Sequence, residues 1–166
     1  MDKTTGAGFR TVRGYQLANR SEGRMTPALE DYLEMVYRLS LESGYARVGK
    51  LSGALHVKPS SASKMIFRLV DLGYLEYDRY DSILLTGKGK EKGAYLLKRH
   101  DIVERFLGFI GNPNPLEEAE LVEHSLERDT VFQLQILLAF FTQDGEAKRR
   151  YEAFREKAWG SDSGKP

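Results

Sequence analysis

The sequence predicts a mainly α protein interrupted once by a two-stranded ribbon. Apolar residues recur at helical spacing over most of residues 25–159. The pattern changes only between Tyr74 and Thr86, where short runs rich in Tyr, Ile and Leu flank a polar turn. The main chain breaks fall at Gly44, Gly73, the Gly111-Asn112-Pro113-Asn114-Pro115 segment and Gln143-Asp144-Gly145.

Taken in order, residues 1–24 are rich in Gly, Arg, Ser and Thr and are expected to form a disordered extension. Thr26 followed by Pro27 is a helix start, an N-cap hydroxyl before a proline at the first helical position. Leu29, Tyr32, Leu33, Val36 and Leu39 form the apolar stripe of that helix, and Gly44 ends it. A short second helix covers residues 48–55, the Val57–Ser60 segment turns, and a third runs from about Ser60 to Leu72 with Met65, Ile66, Leu69 and Val70 inward. Residues 74–79 and 83–86 read as two strands joined by Tyr80-Asp81-Ser82. Thr86 caps a fourth helix reaching about Ile110, in which Gly87, Gly89 and Gly93 weaken the first turns. A fifth helix is expected over about Leu116–Glu127, a sixth over Thr130–Phe141 and a seventh to about Trp159. The domains expected are 25–95 and 96–159, with a loose tail at 160–166.

Composition narrows the function. Apolar residues make up 41 % of the chain, enough for a packed core. Cysteine is absent, which excludes disulfides, thiolate zinc sites and thiol catalysis. No apolar run is long enough to span a bilayer and none opens the chain as a secretory leader, so a cytoplasmic location is expected. The net charge of +1 conceals two regions of opposite sign. Nine Lys and Arg stand against five acids between Arg47 and Lys92, whereas eight acids stand against two bases between Asp101 and Thr130. The first region suits a polyanion and the second suits cations.

Helix, helix, turn, helix and ribbon is the order of a winged helix-turn-helix, whose second motif helix enters the DNA major groove by its N-terminal end. That end reads Lys58-Pro59-Ser60-Ser61-Ala62-Ser63-Lys64, so the candidate DNA contacts are Lys58, Ser60, Ser61, Ser63, Lys64 and Arg68, with Arg79 and Tyr80 at the wing tip. Double-stranded DNA is the expected partner. A second set of residues suits a metal ion. Asp31 and Glu34 are spaced i, i+3 on the first helix, and Glu120, Glu123 and His124 are spaced i, i+3, i+4 on the fifth. His100 lies on the fourth helix. Four carboxylates and two imidazoles, without sulfur, suit Mn(II) or Fe(II) and also take Co(II), Zn(II) or Cd(II). Bridging carboxylates have the capacity to hold two ions per subunit.

From about residue 25 to 142 the chain resembles the diphtheria-toxin-repressor family of metal-dependent transcriptional regulators, in its manganese-transport-regulator branch. The resemblance is carried by Leu29–Glu34, Gly44–Val48, Lys58–Met65, Leu84–Gly89, Arg99-His100-Asp101 and Glu120–His124. It implies that Asp31, Glu34, His100, Glu120, Glu123 and His124 are the metal ligands and that Mn(II) is the effector. The iron-responsive branch has methionine where Asp31 stands and cysteine where Glu120 stands, and neither is present here. It further implies a second domain that binds metal and dimerises, and a homodimer that represses transcription with metal bound. The apolar run Val131–Phe141 agrees with a helix buried between layers or subunits. Competing readings are an iron-responsive member of the same family and a MarR-type winged-helix regulator not controlled by metal. A two-metal hydrolase using the same carboxylates is disfavoured, because no nucleophile accompanies them, and no enzymatic activity is expected.

Overall fold

The computed structural model describes Thr11, Gly14, residues 25–78, Tyr80 and residues 82–161. The expected tails at 1–24 and 160–166 therefore lie almost wholly outside the described residues, as does Arg79. The chain divides into two compact units, Met1–Leu96 and Leu97–Pro166.

The first unit is built on three helices, α1 (Pro27–Ser43), α2 (Val48–Ala54) and α3 (Pro59–Asp71), and a ribbon of β1 (Leu75–Tyr77) and β2 (Ile83–Leu85). Thr26 caps α1 by accepting a hydrogen bond from Leu29 N, and Gly44 ends it in the left-handed region at φ 80°. Leu29, Tyr32, Leu33 and Val36 of α1 meet Leu51 of α2 and Ala62, Ile66 and Leu69 of α3 in one core, which Leu75, Ile83 and Leu96 close. β1 and β2 run antiparallel with Leu75 opposite Leu85 and Tyr77 opposite Ile83. Ile83 also pairs on its other side with Ala46, through hydrogen bonds of 2.9 and 2.8 Å, a link not apparent in the sequence. Apolar alternation does not show it, because a single bridging residue has no period.

Helix α4 (Gly87–Ile110) begins on the cap foreseen at Thr86, whose Oγ1 accepts from Gly89 N at 3.0 Å. The glycines in its first turns are there for space as much as for flexibility. A Cβ on Gly89 would stand 1.9 Å from the Tyr74 carbonyl oxygen, and one on Gly93 would stand 2.7 Å from Tyr37 Cβ. The division between the two units falls within this helix.

The second unit holds the C-terminal part of α4, then α5 (Pro115–Val122), a 3-10 turn at Glu123–Ser125, α6 (Arg128–Gln143) and α7 (Gly145–Ser161). Ile102, Val131 and Leu138 pack with Phe106, Phe109 and Leu134, while Val103 and Leu107 pack with Ala119 and Val122, and Leu126 joins both groups. Phe109 stacks on Tyr151 with ring centroids 4.8 Å apart, and Phe141 lies 4.8 Å from the same Phe109 ring. Helix α5 is shorter than the sequence suggests. It closes at Val122, and the next three residues tighten into a 3-10 turn in which Leu126 N donates to Glu123 O. Glu120, Glu123 and His124 thus do not lie on one regular helical face. Helix α6 buries Val131 and Leu138 but exposes Phe132, Ile136, Leu137 and Phe140, so its all-round apolar character is only half used within the subunit.

The Gly89→Ala substitution drives a methyl into a backbone carbonyl that cannot swing away, and is expected to cost roughly 1–3 kcal/mol. Gly53→Ala on α2 meets open space and should stabilise by about 0.5–1 kcal/mol. Urea unfolding midpoints of the two variants should move in opposite directions.

Candidate metal centre and nucleic-acid interface

In the second unit, a carboxylate is buried among nitrogen donors. Glu123 is 1 % exposed, and its two oxygens face different partners. Oε2 lies 3.2 Å from His100 Nδ1, while Oε1 lies 3.3 Å from Arg99 Nη2. Arg99 and His100 are themselves buried, on the part of α4 that carries them into this unit. Glu120 approaches from α5, with Oε1 3.8 Å from His100 Nδ1 and an exposed side chain. Glu104, one helical turn beyond His100, places Oε2 3.7 Å from His100 Nε2. His124 offers Nδ1 to Arg99 Nη2 at 3.1 Å and Nε2 towards Glu123 Oε1 at 3.8 Å.

One donor atom each from His100, Glu120 and Glu123 lies within 4.8 Å of the others. Donors on opposite sides of a hard divalent cation stand about 4.2–5.2 Å apart, given bonds of about 2.1–2.6 Å. The spread therefore fits an ion, and oxygen with imidazole nitrogen is the chemistry such ions take.

Asp31 and Glu34 are on α1 in the first unit. Asp31 is half-buried and, after burial itself, is a cause of the raised pKa of Tyr32. The Glu34 carboxylate accepts from Arg38 Nε and Nη2 at 2.9 and 2.7 Å. That partner, one turn along the helix with both nitrogens on the single oxygen Oε1, does not figure in the sequence reading. Neighbouring Glu30 pairs with Lys92 at 2.8 Å.

The nucleic-acid candidates lie in the first unit. Lys58, Ser60, Ser61, Lys64 and Arg68 are exposed on or beside α3. Ser63 is half-buried, and its hydroxyl donates to Pro59 O at 3.0 Å. Tyr80 is exposed at the wing. Ser63, Phe67, Tyr77, Tyr80, Arg47 and Val48 line one cleft between α3, the start of α2 and the wing. Phe67, exposed and packed on Tyr77 at 5.7 Å, and Arg47 are neighbours the sequence reading passed over.

Asp78 was also missed, and it organises the wing. Its Oδ1 accepts from Tyr80 N at 2.7 Å and Ser82 N at 2.9 Å. The Ser82 amide is the main cause of its lowered pKa, followed among the favourable causes by the Tyr80 amide, the Ser82 hydroxyl and the charge of Arg47, with desolvation opposing. An Asp at the first position of a polar turn is the signal that pointed to it.

Comparison with known proteins gives two family matches in tandem. Residues 24–83 match the N-terminal DNA binding domain of the iron dependent repressor, and residues 86–151 match its metal binding and dimerisation domain. An HTH-type transcriptional regulator MntR of Geobacillus thermodenitrificans (strain NG80-2) is 41 % identical over 132 residues, covering 78 % of this chain and 92 % of the relative. The MntR of Bacillus subtilis (strain 168) is 37 % identical over 134 residues, covering 80 % and 94 %. Among solved structures, the manganese regulator SloR superposes with a TM-score of 0.62 at 29 % identity, covering 70 % of this chain; the match spans about half of SloR, 55 %. Among the described residues no helix is long and apolar enough to cross a membrane.

Replacing Asp78 by Ala removes both wing hydrogen bonds and is expected to weaken DNA binding several-fold in an anisotropy titration while leaving the helical circular dichroism unchanged. Because the folded pKa is lowered, the stabilisation by this carboxylate is complete above its ordinary value of about 3.9 and is lost as pH falls through the depressed value. The wing should therefore loosen only in acid, and in Asp78→Ala that acid transition should be absent from the wing amide signals.

Proposed function

The chain belongs to the iron dependent repressor family, and from that premise we propose that it is a metal-dependent, DNA-binding transcriptional repressor of manganese homeostasis rather than an enzyme. The observation that carries the proposal is the convergence of His100, Glu120 and Glu123 donor atoms, all oxygen or nitrogen, in a chain that also has a winged helix-turn-helix. The proposed ligand set is Asp31, Glu34, His100, Glu120, Glu123 and His124. Asp31 and Glu34 rest on helical spacing and the family resemblance. The preference for Mn(II), with one or two ions per subunit and Fe(II), Co(II), Zn(II) or Cd(II) as substitutes, rests on the absence of cysteine and on the manganese regulator SloR among the similar solved structures.

A bound divalent cation supplies the positive charge that lets several carboxylates remain ionised together. The other parts belong to the protein. His100 presents Nδ1 towards two carboxylates, Glu120 and the buried Glu123. Lys58, Ser60, Ser61, Ser63, Lys64 and Arg68 offer donors and positive charge to the duplex, with Arg79 and Tyr80 assigned to the wing. Two copies pair through the row Phe132, Ile136, Leu137 and Phe140 on α6, whose exposure within one subunit calls for a cover. The cytoplasm is the proposed location.

A promoter fragment titrated with and without Mn²⁺ tests metal control, and equal affinity in both would sink it. Glu123→Gln is expected to lower metal affinity by about 10–100-fold and to abolish the Mn²⁺-dependent gain in DNA affinity. Ile136→Glu should shift the mass measured by light scattering from dimer towards monomer.

A further inference from the structure

Arg99 is the one buried guanidinium among the described residues, and none of the functions above uses it. It is 3 % exposed and carries a charge that no accessible pH removes. Within its unit, a single nitrogen, Nη2, faces both Glu123 Oε1 at 3.3 Å and His124 Nδ1 at 3.1 Å. A guanidinium only donates, so His124 must accept at Nδ1. That makes the His124 ring neutral, with its proton on Nε2 and its lone pair turned to Arg99. These two partners of Arg99 are a carboxylate oxygen and an imidazole lone pair, the same kinds of donor that a divalent cation takes. The other Glu123 oxygen, Oε2, is left to the His100 and Glu120 cluster.

We infer that Arg99 is a positioning residue that serves as the resident counter-cation of the metal centre, holding Glu123 and His124 in the metal-free protein and competing with a divalent cation for them. This rests on the metal-binding reading above. It has a sign that an ordinary structural role lacks. If Arg99 only props the ligands from behind, its removal weakens metal binding. If it competes, removal destabilises the metal-free protein but strengthens its binding of metal, because Glu123 then lacks a counter-charge until an ion arrives. Linkage requires the two effects to mirror each other: whatever Arg99 contributes to the metal-free state and loses on loading is subtracted from metal affinity.

The test compares full-length wild type with Arg99→Met and Arg99→Lys, using Mn²⁺ alone as the probe. Thermal unfolding is followed in chelator and across a Mn²⁺ series, and free Mn²⁺ is counted by electron paramagnetic resonance. In chelator, Arg99→Met is expected to melt below wild type. In saturating Mn²⁺ the gap should narrow or close, with Mn²⁺ affinity raised on the order of tenfold, the scale on which neighbours of metal ligands act. Arg99→Lys, which keeps the charge without the planar fork, should fall between the two and remains informative if Arg99→Met does not fold without metal. Mn²⁺ affinity unchanged or lowered in a folded Arg99 variant overturns the competition. Wild type that shows neither Mn²⁺ uptake nor a thermal shift overturns the metal reading and this inference together.

Discussion

A carboxylate buried in the protein interior is the constraint around which the second unit is arranged. Glu123 is as buried as the leucines of the core, and a charge in that position is tolerated only where partners answer both oxygens. Arg99 answers one and His100 the other. Both come from consecutive positions on α4, a long helix whose own apolar anchors, Ile102, Val103 and Leu107, hold the two partners in place. The chain between them, from Gly111 at φ 90° to the short α5, brings the carboxylate back to that point. The 3-10 turn at Glu123–Ser125 is a local consequence, because a tighter turn lets consecutive Glu123 and His124 both reach Arg99.

The same economy appears in the first unit with different chemistry. Asp78 is half-buried at the surface of the ribbon, and its partners are backbone amides, so its work is to shape a turn rather than to store charge. Thr86 acts likewise at the other end of the ribbon, where its hydroxyl donates to the Gly73 and Tyr74 carbonyl region and accepts from Gly89 N. Helix α3 precedes both of these capped segments, and its own N-terminus carries no side-chain cap.

Much of this was legible in the sequence, for physical reasons that differ from element to element. Helix α1 declared itself through Thr26-Pro27, a stripe of apolar residues and Gly44, three local signals that agree. The wing declared itself because alternation replaced helical spacing. The end of α5 did not, since helical propensity continues past Val122 and only Arg99 and His100, more than twenty residues away, turn the chain. Gly89 and Gly93 read as weak points in a helix; their need for space depends on Tyr74 and Tyr37, which no local pattern links to them. For the site, residue types and spacing suggested the ligands, and the family resemblance ordered them. Arg99 was passed over because an arginine beside a histidine usually faces solvent, and burial is a property of the fold rather than of the dipeptide.

The backbone bridge between Ala46 and Ile83 gives the winged unit a thermodynamic property as well as a shape. Ile83 exchanges hydrogen bonds with Ala46 on one side and stands opposite Tyr77 on the other, so the segment entering α2 and both strands of the wing are stitched through one residue whose side chain is fully buried. Fraying the base of the wing therefore means opening the core beneath the helix-turn-helix. Amide exchange at Ala46 and Ile83 would then proceed through large, cooperative opening rather than local breathing.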